Sequence, residues 1–193
     1  KRKDSGYPFP FLAGVGVVFK VVSFLSKENA ATLFSEYGYL AAVGTVADIM
    51  PLLGENRIIV KHGLSSFSEE ENIGLSALIN AAECSFSDSS SVAFRIAPRL
   101  NAVGRMASAK TAVELLLCED ERKAAELAGI LCEKNEERQS TEKRIFSSVE
   151  QRLGNEEQHN IIVEGDESWH NGVIGIVASR LVEKYRRPTI LFT

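Results

Sequence analysis

From Asp120 to Leu153 the chain runs without a proline and with one glycine, Gly129. That stretch constrains the fold more than any other. Ala124, Leu127, Ala128 and Leu131 recur at helical spacing, and Ile145, Phe146, Val149 and Leu153 form a second apolar group. Between them, Glu133 to Arg144 carry no apolar side chain at all. The pattern predicts one helix whose ends pack against separate bodies while its middle, polar all round, crosses solvent. At 1.5 Å per residue such a helix is about 50 Å long. Glu119 with Lys123, and Arg138 with Glu142, offer support at i,i+4 spacing. A helical hairpin broken near Gly129 or Asn135 also fits; the single connector is the preferred reading.

Charge follows the same division. Residues 1–110 hold 11 Lys+Arg and 10 Asp+Glu, 111–160 hold 7 and 12, and 161–193 hold 4 and 4, so the acidity sits in the connector. Before it, Val15–Leu25, Asn56–Leu64 and Leu75–Ala82 read as helices, Tyr39–Ala47 as a buried strand or helix, and Phe86–Ser91 as a Ser-rich loop. Thr111–Cys118 reads as a helix behind Ser108 as N-cap. After the connector, Asn160 to Val163, Gly172 to Tyr185 and Thr189 to Phe192 read as strand, helix, strand, a βαβ unit with parallel strands.

With 45% hydrophobic and 25% charged residues in 193, the chain is ordinary globular material, long enough for a real core, which excludes disorder and fibrous classes. The apolar run Leu12 to Val22 is interrupted by glycine and lysine and falls short of a membrane span. Three cysteines without a CxxC indicate neither a disulfide framework nor a zinc ribbon, and suit a reducing cytoplasm. A start at Lys1 and an end inside a strand suggest a piece of a longer protein.

Three stretches can carry chemistry. Gly44-Thr-Val-Ala-Asp-Ile-Met-Pro-Leu52 delivers one carboxylate, Asp48, where a buried element surfaces; this is either a ligand or metal position or a turn-forming acid ahead of Pro51. Phe94-Arg-Ile-Ala-Pro-Arg-Leu-Asn-Ala-Val-Gly-Arg105 offers Arg95, Arg99, Asn101 and Arg105. Arginine forks match phosphate, although Arg95 and Arg99 also suit pairing with glutamates of the connector. The third, Gly165 to Leu181, places Trp169 and His170 in the strand-to-helix turn of the βαβ unit. Gly172 and Gly175 there would free backbone N–H groups for an anion, with Ser179 and Arg180 further along. The plainer alternatives are a capping His170 and a core Trp169. Gly14-Val-Gly16 reads as close helix packing, and His62 and His159 as solvated surface. There is no Walker loop, HExxH or Ser-His-Asp order.

Taken in order, Lys1-Arg-Lys-Asp-Ser-Gly-Tyr-Pro-Phe9 with Leu12 to Lys20, Gly44 to Leu52 with Glu55-Asn-Arg57, Pro98 to Arg105 and Trp169 to Leu181 resemble the RecJ family of the DHH phosphoesterase superfamily. The resemblance implies an α/β fold: the C-terminal part of a DHH catalytic domain with a parallel sheet and helices (1–110), a helical connector (111–153) and the start of a DHHA1 α/β domain (154–193). It implies a cytoplasmic exonuclease degrading single-stranded DNA from the 5′ end in recombination and repair, with Mn²⁺ or Mg²⁺ in a two-metal site. Replication or repair proteins are further expected partners, and no membrane is involved. By motif match Asp48 is a metal ligand and, with His170, catalytic. Arg95, Arg99, Asn101 and Arg105 face the nucleic acid, with His170, Gly172, Ser179 and Arg180 on the opposite wall. The chain holds no Asp-His-His and no Asp-x-Asp, so it is expected to be inactive alone. Two other readings stay open: a DHH phosphoesterase for short oligonucleotides or cyclic dinucleotides, and a non-catalytic DNA-binding scaffold of the same fold.

Overall fold

The computed structural model describes residues 4, 6–68, 72–154 and 160–193. Most of the Lys1–Ser5 motif and His159 lie outside the described residues.

The connector organises the molecule. Asp120 caps α9 (Glu121–Leu153) by accepting from the Lys123 N–H at 2.7 Å, and the helix continues unbroken for 33 residues, as one rod rather than a hairpin. Its N-terminal stripe of Ala124, Leu127, Ala128 and Leu131 is buried in a core shared with α3 (Tyr39–Ala47), α5 (Ile73–Ala81) and α7 (Ala97–Met106). At the other end, Ile145 and Val149 pack with Ile162, Trp169, Val173, Val177 and Leu181. Most of the polar middle is exposed, as its composition predicts, and two of its residues are buried. Asn135 and Glu142 are 3% and 8% exposed; Arg138 reaches both, and Arg180 of α10 (Asn171–Tyr185) pairs with Glu142. Arg138 pairs with Glu142 at 2.6 Å. Glu119 falls ahead of the helix, so its expected i,i+4 partnership with Lys123 does not form within α9.

Ahead of the connector the described chain is all helix. After α1 (Gly14–Ser26) come α2 (Ala30–Leu33), a π-helical turn Phe34–Gly38 and α3, so Tyr39–Ala47 is a helix rather than a strand. Then follow α4 (Gly54–Ser66), α5, the helical turn α6 (Ser89–Ser91), a second π-helical turn Val92–Ile96, α7 and α8 (Lys110–Leu116). The expected Ser-rich loop thus ends in a helix start, where Asp88 accepts from the Ser91 N–H at 2.9 Å. Gly44 lets α1 lie on α3, since a Cβ there would come within 2.7 Å of Val15. In the Gly14-Val-Gly16 stretch the close contact is therefore made by Val15, while Gly14 faces open space and a Cβ on Gly16 would meet Leu12 and, at 3.8 Å, Ile59 of α4.

Two parallel strands, β1 (Ile162–Gly165) and β2 (Thr189–Phe192), flank α10 (Asn171–Tyr185) in the expected βαβ unit, with Ile162 opposite Thr189 and Gly165 opposite Phe192. They account for the parallel sheet of the α/β class; the sheet expected within 1–110 has no strand among the described residues. No helix of the described chain is long and apolar enough to cross a membrane.

Candidate functional site

Asp48 closes α3. Its N–H reaches the Gly44 carbonyl at 3.0 Å, and the next residue, Ile49, turns back with φ 54°. A β-branched residue in the left-handed region is strained, and Ile49 is also 90% exposed. The turn is secured from beneath by Asn56, fully buried in α4, whose Nδ2 donates to the carbonyls of Phe11 at 2.7 Å and Pro51 at 3.0 Å. Its Oδ1 has no hydrogen-bond partner. Asp48 itself projects into solvent. No group of three or more His, Cys, Asp or Glu gathers anywhere among the described residues, so the donors present do not fit a two-metal centre.

The arginines of the second stretch do not converge. Arg99 turns toward α9, its Nε donating to Cys132 Sγ at 3.3 Å and its Nη1 to the Arg95 carbonyl at 2.6 Å. Among the described residues neither Arg95 nor Arg99 forms an ion pair with a glutamate of α9, contrary to the structural alternative. Burial raises the nearby Cys84 thiol, and the charges of Arg95 and Arg99 oppose that shift. Asn101 and Arg105, one helical turn apart, are both exposed. Asn101 borders an open cleft of about 580 Å³ between the Asp48 turn (Ala47, Ile49, Met50) and the helical run of Ser89, Ser90, Phe94 and Pro98.

At its far end α7 meets α10. Arg105 Nη1 lies 3.4 Å from the Gly172 carbonyl, and the backbones approach so closely that a Cβ on Gly172 would overlap the Arg105 carbonyl. His170 is the N-cap of α10, its Nδ1 accepting from the Gly172 N–H at 3.0 Å. In the neutral ring the proton therefore sits on Nε2. The Gly172 N–H is thus spoken for, not free for an anion as its place at the helix start predicts.

The remaining predicted residues are engaged elsewhere. Ser179 Oγ donates to the Gly175 carbonyl at 3.1 Å. Arg180 binds Glu142 at 2.6 Å and covers the Phe146 ring at 4.8 Å. Trp169 is core, with the Arg152 guanidinium 5.1 Å over its ring. Hydrogen bonds from Ser168, with a further one from Arg152, hold Asp166 down to about 2. Lys184 and Tyr185 lower Glu150 in the same way. Arg105, His170 and Gly172 are therefore together, Asn101 shares a cleft with the Asp48 turn, and Arg99 and Arg180 face α9. Nothing in the sequence singles out Asn56 within the Glu55-Asn-Arg57 motif, and the i,i+4 pair of Arg138 with Glu142 forms as expected but gains Arg180, a partner far along the chain.

No family model matches the chain. Curated relatives do. It is 40% identical over 197 residues to the single-stranded-DNA-specific exonuclease RecJ of Bacillus subtilis, covering 99% of this chain and 24% of that one. It is 38% identical over 178 residues to the Thermus thermophilus protein of the same name, covering 92% and 26%, and 32% identical over 209 residues to that of Escherichia coli, covering 98% and 36%. Crystal structures of Thermus thermophilus RecJ in complex with Mg²⁺ and with Mn²⁺ each superpose with a TM-score of 0.79 at 37% identity. They cover 92% of this chain and 28% and 26% of those chains. The chain spans roughly a quarter to a third of the length of the relatives it matches.

Proposed function

The chain is a segment of the RecJ family, and on that premise we propose that it forms part of a cytoplasmic, metal-dependent exonuclease that removes nucleotides from the 5′ end of single-stranded DNA. One observation carries the reading: α7 joins the cleft beside Asp48 to the start of α10, through Asn101 near its middle and Arg105 in its last turn. The helix that carries residues 98–105 thereby borders both the turn after α3 and the start of α10, which are remote in sequence.

In this reading residues 1–110 belong to the catalytic domain, 111–153 to the connector and 154–193 to the second domain. Asn101 and Arg105 contact the backbone of the strand, Arg95 adds charge beside them, and His170 and Gly172 border the path from α10. Arg99 and Arg180 support the path by holding α7 and α10 to α9. The strand keeps away from the acidic face of α9.

The relatives' structures hold Mg²⁺ or Mn²⁺, ions that activate water and stabilise phosphate charge. A single exposed carboxylate does not make such a centre, and no catalytic step is assigned to this chain alone. Asp48 is one ligand of a set completed by other parts of the longer protein. The isolated 193 residues bind single strands weakly, in a salt-sensitive manner, and do not cut them.

The test is release of nucleotide from 5′-labelled single- and double-stranded DNA by the full-length protein with Mn²⁺, wild type beside Asp48→Ala. Single-strand-specific loss that vanishes in the variant is expected. Binding without degradation in both proteins would refute the nuclease and favour the scaffold reading, which the lone carboxylate also suits.

A further inference from the structure

The cleft beside the Asp48 turn has a chemistry that the phosphate contacts leave unused. Phe94 stands on its rim, 76% exposed, a large aromatic face that the fold does not need for its core. Opposite it is Ile49, thrust out by its left-handed backbone. Strain of that kind persists where surrounding structure enforces it, often at a binding or catalytic site. Phe94 also sits within the π-helical turn Val92–Ile96, the widened turn that turns Phe94 and Arg95 outward together. Such bulges are frequent at functional positions.

The cleft is lined mainly by apolar residues, with Ser89, Ser90 and Asn101 as its polar wall, and no charged side chain among the described residues lines it. Arg95 and Arg105 are exposed on the neighbouring helical run, Arg99 is turned to α9, and Asp48 and Asp88 adjoin the lining residues. Arg95 is exposed beside Phe94, and Asn101 lines the same cleft one turn before Arg105. An exposed aromatic face with one exposed guanidinium next to it in the chain and an amide on the cleft wall matches a nucleotide: the base against the ring, the phosphate on the polar groups. An apolar peptide would leave Asn101 and the exposed Arg95 unanswered, and a free anion would leave Phe94 and Ile49 in water. At about 580 Å³ the cleft is within the range of small-ligand sites.

We infer that Phe94 stacks on one base of the bound strand, which enters the cleft between Phe94 and Ile49 while its phosphates run along Asn101 and Arg105. The inference rests on the single-strand reading above and deepens it. Only an unpaired base offers its face to the cleft, so the contact selects against duplex.

Binding to the full-length protein, with chelator present to prevent cleavage, tests it. The probes are a single-stranded oligonucleotide and versions carrying one abasic position moved along the strand. Phe94→Ala is expected to weaken the intact strand about 5- to 150-fold, Phe94→Trp to restore it, and Phe94→Leu, apolar but without a π face, to stay weak. At one abasic position the wild type should lose about as much as Phe94→Ala does on intact DNA, and the variant nothing more. If Phe94→Ala binds as tightly as wild type, or abasic strands weaken both proteins equally at every position, the stacking site is refuted while the nuclease reading stands. If the wild type binds no single strand, both fall.

Discussion

Gly172 and Gly175 lie three residues apart in one helix and should respond to alanine in opposite directions. A Cβ on Gly172 would sit 3.0 Å from the Arg105 carbonyl carbon and 3.2 Å from its Cα, closer still to the oxygen. Ordinary carbon–oxygen contacts begin near 3.3 Å, so α7 or α10 must move by about 1 Å. The obstacle is backbone and cannot rotate aside, which puts the strain toward the upper end of the usual 1–3 kcal/mol for overpacking. Alanine returns at most about 1 kcal/mol of helix propensity, leaving a net loss of about 2 kcal/mol. Around Gly175 nothing lies within 4 Å of the added methyl, so that substitution should stabilise by about 0.5–1 kcal/mol. Urea unfolding of the 193-residue chain separates the two. With a slope of about 2–3 kcal/mol/M, Gly172→Ala should lower the midpoint by about 0.7–1 M, while Gly175→Ala raises it. A neutral Gly172→Ala, or midpoints that move together, would refute the close approach of α7 and α10.

Glu142 should be a structural weak point, because it joins Arg138 and Arg180 in a half-closed space with side-chain exposures of 11%, 14% and 48%. Glu142→Ala should cost about 3–5 kcal/mol by leaving Arg138 buried without its partner, whereas replacing Glu142 and Arg138 together with leucine should recover most of it; denaturant unfolding of the three proteins checks this. Asp166 has its folded pKa lowered from 3.8 to about 2, so its ionised form stabilises the fold above the unfolded value, and that contribution is lost as pH falls through about 2. The difference in Tm between wild type and Asp166→Ala should accordingly be full above pH of about 4 and close toward pH 2; a gap that persists unchanged at low pH would rule this out. Arg105→Ala should make the salt slope of single-strand binding by the full-length protein shallower by about 0.7, the share of one phosphate contact. Arg180→Ala, its guanidinium held by Glu142, should leave the slope unaltered.

Local elements were readable because they rest on local rules. Apolar spacing and the absence of proline marked α9 as one helix, and the strand-helix-strand pattern marked β1, α10 and β2. The strand-or-helix ambiguity of Tyr39–Ala47 was real, since a buried apolar run has no period to separate the two. Its glycine, Gly44, is explained by Val15 of another helix. The helical start at Ser89 was masked by serines that equally suit a loop, until Asp88 is seen to cap it.

The candidate site was half visible. Asp48, the arginine-rich run and the Trp-His turn were singled out from residue types that bear chemistry, and α7 does bring their surroundings together. What each side chain is committed to was decided by partners distant in the chain. Arg99 meets Cys132, Arg180 meets Glu142, Gly172 meets Arg105, and the Gly172 N–H meets His170. An arginine fork suits a phosphate, a carboxylate or a thiol alike, so composition cannot say which it receives. One position in the polar middle of α9 shows the same limit: most of that stretch is exposed as its pattern implies, but Arg180 from α10 joins Arg138 to bury Glu142. The sequence determined α1, α4, α5, α8, α9, the βαβ unit and the residues able to do chemistry, because periodicity and residue type act over a few positions, whereas α7, punctuated by Pro98 and Gly104, was not legible as a helix. Only the tertiary structure decided which of those residues are free to meet a ligand, because a side chain's partner is selected by packing between elements far apart in the chain.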